Sequence, residues 1–228
     1  MLLKRWEDLP SFMQNESVKE YYDILNKKKA SLIFKRLFDI FASLVLLVLL
    51  MPILLFVAIW IKLDSKGPVF YRQERITQYG RTFRIYKFRT MVTNADQIGT
   101  LVTLQNDSRI TKVGEKIRKS RLDELPQLIN ILVGDMSFVG TRPEVKKYVD
   151  QYDEEMLATL LLPAGVTSKA SLMYRDEDEI LNKEVNEENP VDKVYVEKIL
   201  PAKMQYNLEY LKDFNFIHDI VLCIKTVI

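Results

Sequence analysis

Cysteine and histidine, the side chains most used for disulfides and transition-metal sites, occur once each in 228 residues. A single cysteine, Cys223, excludes an internal disulfide framework and suits a reducing compartment. The lone histidine, His218, has no acid or cysteine at metal-ligand spacing and reads as structural. A dominant sign of charge is also missing. Thirty-three basic residues face 31 acidic ones, a net charge of +2, so no global field points to nucleic acid. No internal repeat is evident, and no cleavable-signal pattern, because the apolar run starts too late and is too long. What is present is apolar content of 48%, ample for the core of one domain plus attachments.

The longest apolar stretch, Ile40 to Ile61, holds no charge over 22 residues. As a helix it would measure about 33 Å, enough to cross a bilayer. Basic residues flank both ends: Lys35 and Arg36 before it, Lys62, Lys66, Arg72 and Arg75 after it. The positive-inside bias therefore selects no side. Pro52 near the middle removes a backbone hydrogen bond and predicts a kink. A re-entrant helical hairpin, leaving by the face it entered and keeping both ends cytoplasmic, reconciles these features. The alternative is one kinked span with residues 1–34 outside. Asp39 is expected to pair with Lys35 or Arg36 or to face protein. Within residues 1–34, Trp6, Phe12, Tyr21, Tyr22 and Leu25 suit the buried side of one or two short helices. Lys27, Lys28 and Lys29 suit either a solvated helix end or anionic lipid head groups.

After Gly67-Pro68, Val69 to Gln73 reads as a strand and residues 78–81 as a turn. Residues 83–89 read as a second strand, with Phe83, Ile85 and Phe88 inward and Arg84, Lys87 and Arg89 on a basic face. That face is either solvated or turned toward phosphate. Residues 92–106 are polar and loop-like, and Ile110 to Lys119 suits a short basic helix. Glu144 to Leu162 predicts an amphipathic helix, and Val191 to Tyr210 another, punctuated by Pro201. The acidic run 176–190 reads as a solvated face without chemistry. The tail from Phe214 is apolar but too short to span, hence a core or interfacial helix.

Asp123 and Glu124 are adjacent carboxylates with Arg118 and Arg121 close before them and Arg142 after. Two readings fit. In one, Ser120 or Asp123 caps a helix whose first turn holds Pro126 and whose buried face is Leu125, Leu128, Ile129 and Leu132. In the other, the acids hold a hard divalent ion and the cations receive phosphate.

The order of motifs decides. Lys35-Arg36-x-x-Asp39, the apolar run with Pro52, YKFRTM (86–91), NDSRIT (106–111), LDELPQ (122–127), GDMSFVG (134–140) and Arg142-Pro143 together resemble the bacterial sugar transferases, more narrowly the small monotopic phosphoglycosyl transferases. The resemblance covers roughly 33–228 and is dense over 83–143. It implies a helix-rich α/β membrane-associated domain with a short sheet and an N-terminal re-entrant hairpin kinked at Pro52. It divides the chain into an interfacial extension (1–34), the re-entrant helix (35–66) and a cytoplasmic catalytic domain with interfacial helices (67–228). The implied reaction moves sugar-1-phosphate from a UDP-sugar to polyprenol phosphate at the cytoplasmic face of a bacterial plasma membrane, releases UMP, and so initiates glycan assembly. Asp123 would be the nucleophile, with Glu124 beside it, and both would hold Mg²⁺. Lys87, Arg89, Arg118 and Arg142 would receive substrate phosphate. Lys35 and Arg36, with the kink at Pro52, would serve lipid phosphate and membrane. The implied partners are UDP-sugar, polyprenol phosphate and the bilayer, with no nucleic acid; a homo-oligomer is left open. The competing functions are a membrane-tethered nucleotide-sugar-binding or scaffold protein and a glycosyltransferase that releases UDP.

The sequence departs from the family pattern at Met51-Pro52, where Ser-Pro is usual, at Thr141-Arg142-Pro143, where Pro-Arg-Pro is usual, and at Arg121, a place often held by serine or threonine. The largest departure is LPAGVTSKAS (162–171), which lacks the usual arginine and tryptophan. Lys169 and Arg175 are the candidates to replace the missing charge.

Overall fold

A computed structural model describes residues 2–95, 107–174, 177–185 and 190–227. Residues 96–106, most of the expected loop 92–106, lie outside the described residues, as do 175–176, 186–189 and the two terminal residues; Arg175 and part of the acidic run 176–190 fall there. Helix α1 (Glu16–Asn26) starts at Asn15, whose side chain accepts from the Val18 amide, as a helix N-terminus favours. It buries Val18, Tyr21, Tyr22 and Leu25; Trp6 packs at the edge of this core and Phe12 stays largely exposed.

Helix α2 (Lys29–Asp64) is 36 residues long and includes Pro52 within its span. It is the one described helix long and apolar enough to cross a membrane. One side of it packs on the body along its length. Leu32 joins the core under α1; Leu46, Leu47 and Leu50 meet the cluster around Phe83 and Ile131; Val57 and Ile61 meet Phe88, Val113 and Ile117. The opposite side exposes Phe41, Val48, Leu49, Phe56, Ile59 and Leu63.

Two small sheets replace the single one expected. Strands β1 (Phe70–Ile76) and β2 (Thr82–Phe88) pair antiparallel, with Tyr71 opposite Lys87 and Arg75 opposite Phe83. Strands β3 (Met136–Val139) and β4 (Ala164–Thr167) pair in parallel. Between them lie α3 (Lys112–Lys119) and α4 (Gln127–Val133). The helix expected over Glu144 to Leu162 is not formed. A short α5 (Lys146–Val149) is followed by a 3-10 segment, Met156–Leu161. The physical reason is burial: Ala158, Thr159, Leu160 and Leu161 are all enclosed, and four consecutive buried residues do not fit a one-sided helix.

The remainder is helical: α6 (Lys169–Met173), α7 (Glu177–Glu184), α8 (Val191–Val194), α9 (Leu200–Lys212) and α10 (Phe216–Val227). A π-helical turn, Tyr195–Ile199, joins α8 to α9, whose first turn holds Pro201. The apolar tail α10 exposes Ile217, Val221 and Ile224 on one side. Its Phe216 stacks on Phe34 of α2 with ring centroids 6.2 Å apart, making the two exposed apolar surfaces adjacent.

Candidate functional site

The acid pair lies in a 3-10 turn, Leu122–Glu124, entered through Arg121 in the left-handed region at φ 55°. That conformation costs an arginine roughly 1–2 kcal/mol, and such strain collects at functional turns. The capping alternative is not realised. Ser120 donates back to the carbonyls of Lys116 and Ile117 at the end of α3, and neither the turn nor α4 has a side-chain cap. The buried face of α4 is also turned from the one expected: Leu128 is enclosed, but so are Gln127, Asn130 and Ile131. Asn130 explains the rotation. Its Oδ1 accepts from the Tyr86 amide at 2.8 Å and its Nδ2 donates to the Arg84 carbonyl at 3.1 Å, so the side chain extends the edge of β2. This docking brings the acids against the sheet.

Lys87 is on the site side of that sheet. By strand alternation it shares a face with Phe83 and Ile85, whereas Phe88 is buried on the other. The expected split, with Lys87 opposite Phe83 and Ile85, is therefore corrected: β2 is apolar on both faces, and Phe88 serves the α2–α3 cluster.

Lys87 Nζ and Arg142 Nη2 both donate to Glu124 Oε1, at 2.9 and 2.5 Å. Burial alone would raise the Glu124 pKa, but Arg142 and Lys87 together hold it well below the ordinary value. Burial depresses the Lys87 pKa, and Glu124 opposes that. Asp123 is in a different environment. Burial first, then the Glu124 charge, push its pKa up, while Lys87 and Arg118 pull it down from longer range. No side chain among the described residues hydrogen-bonds its carboxylate. Two adjacent acids are thus driven apart: one fixed as an ion by two cations, the other half-buried and bonded only by its own backbone amide. Arg118, at the end of α3, acts electrostatically on both Asp123 and Asp107.

Arg142 is aimed by a glycine-dependent contact. Gly140 N–H donates to Thr167 O and Gly165 N–H to Thr141 O, at 3.0 and 2.9 Å. A Cβ on Gly165 would come within 2.2 Å of the Gly140 nitrogen, so the two backbones touch only because both residues lack side chains.

Other predicted site residues have protein partners away from the acid pair. Arg89 is buried and donates to the carbonyls of Lys66 and Ser65 at 2.6 and 2.8 Å, clamping the exit of α2. Gly67, at φ 128°, is needed there: a Cβ would overlap Arg89 Nη1. Lys35 is enclosed between Val139 O and Asp219 Oδ2, each at 2.7 Å. Arg36 donates to Ile131 O and Leu132 O, capping α4. Buried or capping cations of this kind tie α2 to the body and are not presented to a lipid phosphate in this arrangement. Asp39 does face protein, accepting from Ser137 Oγ and the Phe138 amide. Lys169 pairs with Glu209 at 2.8 Å. The residues that reading the sequence missed are Asn130, Gln73, Arg75 and Glu144. The first lay hidden in an apolar helix. Alternation along β1 was the available signal for the next two.

No group of three or more potential metal-ligating side chains occurs among the described residues. Asp123 and Glu124 alone fit a magnesium ion only if substrate oxygens complete its shell, which is how that ion is commonly held beside phosphates.

A helix-rich body carried along one long apolar helix, with an acid pair ringed by cations, is the build of a membrane-associated protein that handles anions. The chain belongs to the bacterial sugar transferase family, whose pattern matches residues 30–228. It is 35% identical over 199 residues to the UDP-N-acetylgalactosamine-undecaprenyl-phosphate N-acetylgalactosaminephosphotransferase of Aeromonas hydrophila, covering 85% of this chain and 42% of that protein. It is 36% identical over 200 residues to the UDP-glucose:undecaprenyl-phosphate glucose-1-phosphate transferase of Escherichia coli K12, covering 86% and 39%. Against the exopolysaccharide production protein ExoY of Sinorhizobium fredii it is 31% identical over 210 residues, covering 86% and 84%. The chain thus spans about two fifths of the first two relatives and most of the third.

Proposed function

We propose that this protein transfers sugar-1-phosphate from a UDP-sugar to a polyprenol phosphate such as undecaprenyl phosphate, releasing UMP and starting a glycan on its lipid carrier. The carrying observation is the divergence of the acid pair. Glu124 is neutralised by Lys87 and Arg142, while Asp123 has no side-chain partner and a raised pKa. A carboxylate that accepts only from its own backbone amide, with no side-chain donor, keeps electron pairs for attack. Asp123 Oδ would bond to the β-phosphorus as the bond to the bridging oxygen breaks, giving an aspartyl phosphosugar and UMP. Polyprenol phosphate would then attack the same phosphorus and free the carboxylate. Splitting the transfer in two makes each step easier. Lys87, Arg118 and Arg142 would oppose the repulsion among nucleophile, diphosphate and lipid phosphate. Mg²⁺, bound by Asp123 and Glu124 with substrate oxygens, would supply further charge neutralisation.

The membrane reading rests on packing. Both ends and the middle of α2 lie against one polar body, so a straight crossing would drag that body through the lipid. Although α2 runs as one helix from Lys29 to Asp64, we infer a re-entrant arrangement bent at Pro52 with both ends at the cytoplasmic face of the plasma membrane, which would leave the exposed apolar side to the acyl chains.

The test is a panel of UDP-sugars with a polyprenol phosphate acceptor, analysed for nucleotide product. UMP release supports the reading; UDP release would assign a glycosyltransferase instead, and no turnover with any donor would favour a binding protein.

A further inference from the structure

Strand β1 carries a second arginine close to Arg142. In the register with β2, Tyr71, Gln73 and Arg75 share the face that carries Lys87. Arg75 is mostly enclosed, with 21% of its side chain exposed. Its Nε and Nη2 donate to Gln73 Oε1 at 2.9 and 2.6 Å, and its Nη1 to the carbonyl of Pro143, the residue after Arg142, at 3.1 Å. These acceptors are neutral. The carboxylate oxygen paired with it, Glu144 Oε2, is 3.8 Å away, long for a charge-assisted bond, and Glu144 Oε1 accepts from Tyr195 Oη at 2.6 Å. Burial most strongly disfavours the protonated guanidinium; the Glu144 charge opposes that, and the neighbouring Arg142 charge adds to it. The fold therefore holds two guanidinium groups in each other's field and fixes one by neutral hydrogen bonds with a single, long ion pair to Glu144. Such an arrangement opposes folding and is expected where an anion is to be received.

We propose that Arg75, together with Arg142, binds the phosphate that departs with the nucleotide. This rests on the phosphoglycosyl-transfer reading above. When Asp123 Oδ bonds to the β-phosphorus, the electron pair of the breaking bond stays on the bridging oxygen. The nucleotide phosphate then passes from one negative charge to two. Guanidinium donors at that phosphate act on charge that appears only as the bond breaks, so they favour the transition state over the bound donor. Polyprenol phosphate attack on the aspartyl phosphosugar involves no nucleotide. Arg75 therefore belongs to the first half-reaction alone, and that separates it from a residue that merely supports the fold.

The test uses the full chain in lipid nanodiscs, without acceptor, and follows exchange of labelled UMP into UDP-sugar. The wild-type protein is expected to exchange. Arg75→Gln is expected to slow exchange on the order of 100-fold and to raise the inhibition constant of UMP by a similar factor. After prolonged loading with donor and desalting, discharge of its phosphosugar to polyprenol phosphate should stay within about twofold of wild type. Arg75→Lys keeps the charge without the fork and should fall between them; it also supplies the readout if Arg75→Gln fails to fold. Exchange as fast as wild type, or discharge slowed as much as exchange, would overturn the proposal. Absence of exchange in the wild-type protein would instead remove the covalent reading, and the proposal with it.

Discussion

Arg142 Nη2 lies 2.5 Å from Glu124 Oε1, and that oxygen also accepts from Lys87. The carboxylate is the common counter-ion of two partly buried cations, so its removal should be felt by both. Glu124→Gln is expected to cost on the order of 3 kcal/mol, because breaking a buried pair leaves uncompensated charge. The pH dependence has a definite sign. With the folded pKa depressed, the Glu124 contribution is present above the unfolded value of about 4.3 and is lost only as pH falls through the lower folded one. Thermal melts of wild type and Glu124→Gln should therefore stay separated under mild acid; convergence near pH 5 would contradict the pairing.

Asp123 should behave in the opposite sense. Its folded pKa is raised, so the charged form opposes folding, and the associated stability is lost as pH rises through that pKa. Asp123→Asn is expected to melt at or above the wild-type temperature near pH 7 while UMP release falls by at least 1,000-fold, on the order seen when nucleophiles are removed. The acid limb of the rate profile should lie above the ordinary aspartate value of about 3.9. A variant that releases UMP at the wild-type rate would end the nucleophile assignment.

Lys87 and Arg89 are two residues apart, yet the fold gives them different tasks. Lys87→Met should reduce turnover, since it removes a cation from beside the acid pair. Arg89→Met should chiefly lower the melting temperature, because its donors close the loop at Ser65 and Lys66. A loss of about 2–3 kcal/mol is expected for a buried guanidinium and its carbonyl partners. Donor KM measured on the folded fraction of Arg89→Met should match wild type. A tenfold rise in KM would return Arg89 to the phosphate site.

What was legible in the sequence follows physical range. The apolar run from Ile40, the hairpin of β1 and β2 and the tail helix are local patterns, and each is formed. The adjacency of Asp123 and Glu124 is local too, and the motif order placed Lys87 and Arg142 beside them. Long-range pairing was not legible. Strands β3 and β4 are four residues each, and their pairing rests on the close approach of Gly140 and Gly165, a contact with no periodic signature. Lys35 and Arg36 looked like lipid-facing cations because their partners, Asp219 and the carbonyls ending α4, lie roughly 100 to 180 residues away in the chain. The helix expected after Glu144 failed for a related reason: apolar residues suited to one helical face were needed on every side of a 3-10 segment.

Residues before α2 bear on topology. Leu9, Met13, Val18, Tyr21 and Leu25 share a core with Leu160, Leu161, Leu211 and Phe214, and Lys28 Nζ donates to Phe214 O at 2.7 Å. Burial of five such side chains is worth roughly 1.5–3 kcal/mol each, so this segment should stay with the body, on whichever side of the membrane the body lies. Ser11 is exposed next to that core, and Lys146 is exposed on the body. In a Cys223→Ser background, Ser11→Cys and Lys146→Cys are expected to resist an impermeant maleimide in intact cells and to react together once the membrane is opened. Labelling of Ser11→Cys alone in intact cells would require residues before α2 to leave the body and cross the bilayer, which the shared core forbids.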